Sequence, residues 1–215
     1  MLLDSTQNSD VQTLSCHGSQ RIHATLFSIL KMLFHSHTRR EEAPLKTLDD
    51  DVEGQVLLTG CALPSAPCVF CGASKENGFD VIWENDRYIV FTDINPAAQH
   101  HLQVIPKRHI ESVKSLRRAD AIMVREMMEI GHKVLDDMYV SPNLRRLGFH
   151  IPPYISVSHL HLHVQALPYR SFLRRLKYPV VNGRKGQEKG FSWFVDAEQA
   201  ARILANDNRV RIMPC

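Results

Sequence analysis

Several features that would settle this chain's class at once are missing from its 215 residues. It has no G-x-G-x-x-G and no Walker A loop. A phosphate site built on a glycine-rich turn is therefore not expected, and any such site must be made from side chains. No apolar run reaches the ~18 residues that a membrane span needs. The opening stretch "MLLDSTQNSD" carries acids and no basic n-region, so a secretory signal is not expected. A large excess of charge of one sign is lacking as well. Lys and Arg number 26 against 23 Asp and Glu, and a formal charge of +3 does not by itself argue for nucleic acid. Cysteine is limited to five, an odd number. That favours reduced thiols or a metal over a disulfide framework, and an intracellular setting in cytoplasm or nucleus.

What is present suits one domain with appendages. The hydrophobic share of 44% is enough for a real core. Residues 1–60 are rich in Ser, Thr, Gln and Asp, and "EEAPLKTLDDDVEG" reads as a linker. They form a poorly ordered extension in which "RIHATLFSILKMLFHSH" is the one candidate helix. A domain over 67–205 follows, with 206–215 as a flexible tail. "DVIWENDRYIVFTD" reads as two strands around the turn "ENDR", the second ending at Asp93. "HHLQVIPKRH" is a third strand stopped by Pro106. A long helix covers "SLRRADAIMVREMMEIGHKVLDDMY", with Ser115 as its cap. Ile122, Met123, Met127, Ile130, Val134 and Leu135 recur at helical spacing as core filling. "LRRLGFHI" is a fourth strand, "NGRKGQEKG" a flexible loop, and "DAEQAARILA" a closing helix. Strands flanking one long helix, without a βαβ rhythm, predict an α+β fold with an antiparallel sheet.

The most informative stretch is "SVSHLHLHVQ". His159, His161 and His163 alternate with Leu160, Leu162 and Val164. That period of two is a β-strand, with the apolar residues on the core and the imidazoles on the other face, away from it. Same-face neighbours lie roughly 6.5 to 7 Å apart, about the reach of a phosphate. Histidine is the side chain poised for proton transfer, metal binding and nucleophilic attack near neutral pH. Cys68 and Cys71 have zinc-ligand spacing, and the same spacing suits a pair of half-buried thiols. The basic residues of "YRSFLRRLKYP" and "NGRKGQEKG" read as a solvated face or as a surface for polyphosphate or nucleic acid.

"HLHLHV" resembles the His-X-His-X-His signature of the histidine triad (HIT) superfamily. "CVFC", "FTDINPAAQHHLQVIPKRHI", a long helix and "GFHIPPYISVSHLHLHV" come in that family's order and spacing. With the late "SWF", the pattern is most similar to the Hint-type branch near aprataxin. The resemblance implies a five-stranded antiparallel sheet with one long helix and a C-terminal helix, usually in a homodimer whose sheets join. It implies hydrolysis or transfer at the α-phosphate of AMP-linked substrates such as nucleoside phosphoramidates, through a covalent nucleotidyl-histidine. His161 is then the nucleophile, held by a backbone carbonyl. His163, His101 and Ser156 serve the phosphoryl and leaving groups, and no catalytic metal is expected. Asp93 binds the ribose hydroxyls, with Phe70, Phe91 and Ile94 around the base. Gly148 departs from the family, whose nucleotide hydrolases carry an asparagine there. Many family relatives bind a structural zinc, and the resemblance implies Cys68, Cys71, His109 and His159 as its ligands here. The alternatives are aprataxin-like removal of AMP from nucleic-acid ends and a non-catalytic nucleotide-binding scaffold. The aprataxin lineage adds a C-terminal zinc finger, which the residues after His163 do not supply, so a nucleic-acid partner is not favoured.

Overall fold

A computed structural model describes residues 68–215. The candidate helix and the extension over 1–60, with Cys16 and Cys61, lie outside the described residues. Six antiparallel strands form one sheet: β1 (Val81–Glu84), β2 (Tyr88–Thr92), β3 (His101–Pro106), β4 (Arg145–His150), β5 (Leu162–Ala166) and β6 (Phe194–Asp196). Their spatial order is β1-β2-β3-β5-β4-β6. The α+β antiparallel architecture is as expected, with six strands rather than five. The extra strand, β6, is three residues long and pairs with β4, placing Gly148 opposite Asp196 and His150 opposite Phe194. A three-residue strand is too short to show an alternation of its own.

Among the described residues three helices accompany the sheet: α1 (Ala121–Asp137), the single turn α2 (Phe172–Arg175) and α3 (Ala197–Ala205). Among the described residues no helix is long and apolar enough to cross a membrane. The long helix begins at Ala121, not near Ser115. Ser115 instead closes a 3-10 turn, its hydroxyl donating to the Ser112 carbonyl at 2.8 Å. Asp120 then accepts from the Arg117 backbone N–H at 2.8 Å, so the chain makes two short turns before the helix. The buried stripe of α1 is Ala121, Val124, Met127, Gly131, Val134 and Leu135. Ile122, expected in the core, is 70% exposed, because the stripe runs one residue off the large apolar side chains at the N-terminal end. At Gly131 a Cβ would come within 2.8 Å of the Val164 side chain, so the helix lies hard against β5. α3 is capped by Asp196, whose carboxylate accepts from the Glu198 N–H at 3.0 Å.

The sheet is buried on both faces. Tyr88 and Val90 join Leu102, Val104, Leu147, Phe149, Leu162 and Val164 in the main core under α1 and α3. Ile89, Phe91 and Ile105 point the other way and pack with Phe70, Phe79 and Val81. Leu160, Leu162 and Val164 take the core side, as their alternation requires. The histidine face does not stand away from the interior, however. His159, His161 and His163 are 1%, 5% and 5% exposed, because the segment carrying Phe70 and the ring of Tyr178 lie over them.

The residues after α3 are docked too, against the expectation of a flexible tail. Val210 and Cys215 enter the main core. The Lys189 N–H donates to the Cys215 carbonyl at 2.9 Å, and the Cys215 N–H donates back at 3.1 Å. "NGRKGQEKG" is accordingly not a free loop: Asn182 and Lys189 form an antiparallel bridge. Lys189 is fully buried and donates to the carbonyls of Gly190, Ser192 and Ile212. Burial pushes its ammonium down to about 8.

β6 also accounts for Gly148. A Cβ there would sit 2.4 Å from the Val195 carbonyl oxygen and 2.5 Å from the Phe194 ring, both on or beside β6. The space an asparagine would fill is occupied. Gly148→Asn should therefore lower stability by about 1 to 3 kcal/mol through overpacking. Denaturant unfolding with an unchanged midpoint would contradict this account of the glycine.

Candidate active site

Residues opposite one another on paired strands share a face. On the face away from α1 and α3, one row runs Phe91, Gln103, His163, Gly148 and Asp196. The next runs Asp93, His101, Gln165 and Arg146, opened by the Asp93 N–H bond to the His101 carbonyl at 2.8 Å. The apolar side chains of β2, the acid at its end and the imidazoles of β3 and β5 thus meet on one surface.

Main-chain groups fix the protons of these imidazoles. The His161 Nδ1 lies 2.6 Å from the His159 carbonyl oxygen. A carbonyl only accepts, so Nδ1 carries the hydrogen and Nε2 keeps its lone pair. At the other end of the cluster the Ala97 N–H donates to His101 Nδ1 at 3.1 Å. The His101 proton therefore sits on Nε2, which lies 2.9 Å from His163 Nδ1. His163 Nε2 then donates to His150 Nδ1 at 3.0 Å, and His150 Nε2 donates to the Lys177 carbonyl at 2.8 Å. Three neutral imidazoles form one directed chain, started by a backbone donor and ended by a backbone acceptor.

Burial keeps the imidazoles neutral. It pushes His101 down to about 4 against the pull of Asp93, and His150 down to about 3. His161 and His163 are also lowered, with burial the largest cause. Asp93 is 8% exposed. Its Oδ1 accepts from the Asn95 N–H at 2.8 Å and its Oδ2 from Gln103 Nε2 at 2.7 Å.

A second cluster joins Cys68, Cys71, His109 and His159, whose ligand atoms all lie within 4.8 Å of one another. His159 Nε2 donates to the Pro106 carbonyl at 2.9 Å, which leaves Nδ1 bare. That nitrogen is 3.5 Å from Cys68 Sγ and 3.6 Å from Cys71 Sγ, and His109 Nδ1 is 3.2 Å from Cys71 Sγ. Tetrahedral zinc bonds imply a sulfur–nitrogen separation of about 3.6 Å, so the donor set fits that ion. A carbonyl behind the liganding imidazole is the usual outer partner. Asp93, His101 and His163 also lie close enough to hold an ion. The Ala97 N–H occupies Nδ1 of His101, however, so Nε2 is protonated and offers no lone pair.

The family described as "Scavenger mRNA decapping enzyme C-term binding" matches residues 67–177, about half the chain. The chain is 40% identical over 141 residues to "Adenosine 5'-monophosphoramidase HINT3" of Danio rerio, covering 64% of this chain and 81% of that protein. The chain belongs to the histidine triad superfamily. Within it the sequence falls on the Hint-type branch near aprataxin. A "Bifunctional adenosine 5'-phosphosulfate phosphorylase/adenylylsulfatase HINT4" of Arabidopsis thaliana is 40% identical over 114 residues, covering 52% of this chain and 77% of that one. "Aprataxin" of Danio rerio is 26% identical over 142 residues, covering 65% of this chain and 41% of that protein.

Not every residue that the resemblance implied is gathered in this HIT site. Phe70 and Phe91 lie edge to face at 5.3 Å, and Phe70 also meets the His161 ring at 5.6 Å. Ile94, next to Asp93, is wholly exposed and packs in none of the buried clusters. It follows Asp93 in the bend after β2. Ser156 lies exposed in the segment between β4 and β5. Both ring nitrogens of His163 are engaged, so it donates to a phosphoryl group only by exchanging one of those bonds.

Two buried residues escaped the sequence reading. His150 sits in "GFHI", where a lone histidine at a strand end carries no pattern. Gln103 was accessible, since His101, Gln103 and Ile105 alternate along β3 on the side of the histidines.

The buried imidazoles make stability depend on pH. Unfolded, they take up protons near pH 6.5; folded, they do so only at lower pH. Between those values the unfolded state binds more protons, so stability falls as pH is lowered. Urea unfolding should show a plateau above pH 7 and a decline from about pH 6.5 downward. Constant stability from pH 7 to pH 5 would contradict the buried, neutral cluster.

Proposed function

We propose that this protein is a nucleotide hydrolase acting on AMP-linked substrates, adenosine 5'-phosphoramidates above all, through an adenylyl group carried on His161. The observation that carries the reading is the bare Nε2 of His161, created by the Nδ1–H bond to the His159 carbonyl. A neutral imidazole with one lone pair directed by such a bond is an activated nucleophile at neutral pH. The relatives named as a phosphoramidase and as a phosphorylase and adenylylsulfatase support the substrate class.

In the first step His161 Nε2 attacks the α-phosphorus and the bond from phosphorus to the leaving nitrogen breaks. The electron pair leaves with that nitrogen, which takes up a proton. Water then attacks the phosphorus, the bond to His161 breaks, and AMP departs. Asp93 anchors the ribose by accepting from a hydroxyl on a remaining lone pair, and Phe70 and Phe91 face the base. His163, held between His101 and His150, answers the developing phosphoryl charge by shifting its hydrogen bonds. Donors already aimed at developing charge are usually the larger part of such catalysis.

A structural zinc on Cys68, Cys71, His109 and His159 belongs to the proposal. It would tie the first 3-10 turn (Val69–Gly72), the segment after β3 and the approach to β5 together. Phe70 lies between the two cysteines, so the same ion would hold that ring against His161. With four protein ligands it supplies stability and no chemistry. The homodimer that the resemblance implies is part of the reading as well. Because β6 covers β4, joined sheets would have to meet along β1 or β6.

The decisive experiment is a turnover panel of adenosine phosphoramidate, diadenosine polyphosphate and 5′-adenylated DNA. Phosphoramidate should be the preferred substrate, with an acid-labile AMP adduct trapped on His161. His161→Ala and the better-filling His161→Gln should each lose turnover by several orders of magnitude per folded molecule. Either variant working at near the wild-type rate would sink the nucleophile assignment. Preference for adenylated DNA would favour the aprataxin-like alternative.

The metal is checked separately. Protein purified without added metal should contain about one zinc per chain. Chelation or Cys68→Ser should lower the melting temperature more than the rate per folded molecule. No zinc, together with unchanged stability of Cys68→Ser, would leave the cysteines as ordinary thiols.

A further inference from the structure

One residue in the site's first row has half of its amide unused. Gln103 stands on β3 between Phe91 on β2 and His163 on β5. It is 8% exposed. Its Nε2 donates to Asp93 Oδ2 at 2.7 Å, and its Oε1 is buried with no hydrogen-bond partner among the described residues. Turning the amide over does not relieve this. It would set Oε1 against a carboxylate oxygen, acceptor against acceptor, and lose the bond that Asp93 receives. The carboxylate thus locks the orientation and leaves a carbonyl oxygen, desolvated and unpaired, beside the acid. A buried acceptor in that state costs free energy unless a donor arrives.

We infer that Gln103 is a specificity-determining residue whose Oε1 accepts a hydrogen bond from one hydroxyl of the ligand's ribose while Asp93 accepts from the neighbouring one. The inference rests on the nucleotide reading above. A sugar hydroxyl is the fitting donor because Oε1 belongs to the same amide that is anchored on Asp93. Two acceptors on adjacent side chains match two vicinal O–H groups. The base belongs with the aromatic rings of Phe70, Phe79 and Phe91, which offer no acceptor. A site with a buried acceptor discriminates strongly against a ligand that lacks the donor, since the acceptor is then left unpaired. The substrate class is accordingly ribonucleotides rather than deoxynucleotides.

The test measures binding of AMP, its 2′-deoxy and 3′-deoxy analogues and inosine 5'-monophosphate to the full chain, by calorimetry. Two variants are compared with wild type. Gln103→Met keeps the bulk and removes both polar atoms. Gln103→Lys keeps an N–H to offer Asp93 and removes the acceptor, at the cost of an added positive charge. For wild type, loss of one of the two hydroxyls should weaken binding about tenfold. Both variants should bind AMP about tenfold more weakly and become indifferent to that hydroxyl, while inosine 5'-monophosphate shifts all three proteins alike. AMP binding by both variants at wild-type strength would overturn the inference and leave the nucleotide reading standing. Rescue by Gln103→Lys would overturn it in favour of a residue that merely positions Asp93. Sensitivity that follows the 6-amino group would overturn it in favour of base readout. A wild-type chain that binds no adenosine nucleotide would remove the nucleotide reading and this inference together.

Discussion

The hydrogen bond from His161 Nδ1 to the carbonyl of His159, 2.6 Å long, has a main-chain acceptor that no change of side chain at residue 159 removes. It decides which nitrogen is free, and the proposed chemistry needs that nitrogen. The same logic recurs through the cluster. Pro106 sets the proton of His159, Ala97 that of His101, and Lys177 closes the chain through His150. Each main-chain group is of fixed polarity, so the imidazoles between them have no choice of tautomer. Burial then keeps them uncharged. The result is a polar interior ordered by backbone ends, with one lone pair left over for a substrate and one for the cysteine cluster.

The sheet makes this arrangement possible by being buried on both sides. One face seals against α1 and α3, and the other carries the imidazoles under Phe70 and Tyr178. β6 adds a constraint of its own. It brings Phe194 within 5.1 Å of the His150 ring and fills the space beside Gly148. The strand, the glycine and the histidine of "GFHI" therefore form one unit. Exchanging the glycine alone for the family's asparagine would meet the backbone of Val195.

Much of this was legible in the sequence for a simple reason. Period-two alternation through Leu160, Leu162 and Val164 assigns the faces of β5 without any tertiary knowledge, and Asp93 marks the end of β2. Features that depend on contacts between distant segments were not legible. The three residues of β6 are too few to show a period. Lys189 looks like a solvated charge until the tail around Ile212 closes over it. Ser115 has the chemistry of a cap, and Ser112 captured it first. The histidine face was expected to lie away from the core because polarity in a strand is ordinarily a sign of exposure. Here it signals groups that satisfy one another inside. His150 gave no periodic signal, whereas Gln103 sat in plain alternation with His101 and drew no notice beside the histidines.

The central claim is that main-chain groups impose the tautomers, and nitrogen-15 NMR of the histidine rings reads it directly. At neutral pH, His161 should show a protonated Nδ1 and a bare Nε2, while His101, His163 and His150 should each be protonated on Nε2. These patterns should persist without ligand. A His161 found in rapid exchange between tautomers, or protonated on Nε2, would contradict the account. Its nucleophilic lone pair would then not be supplied by the fold.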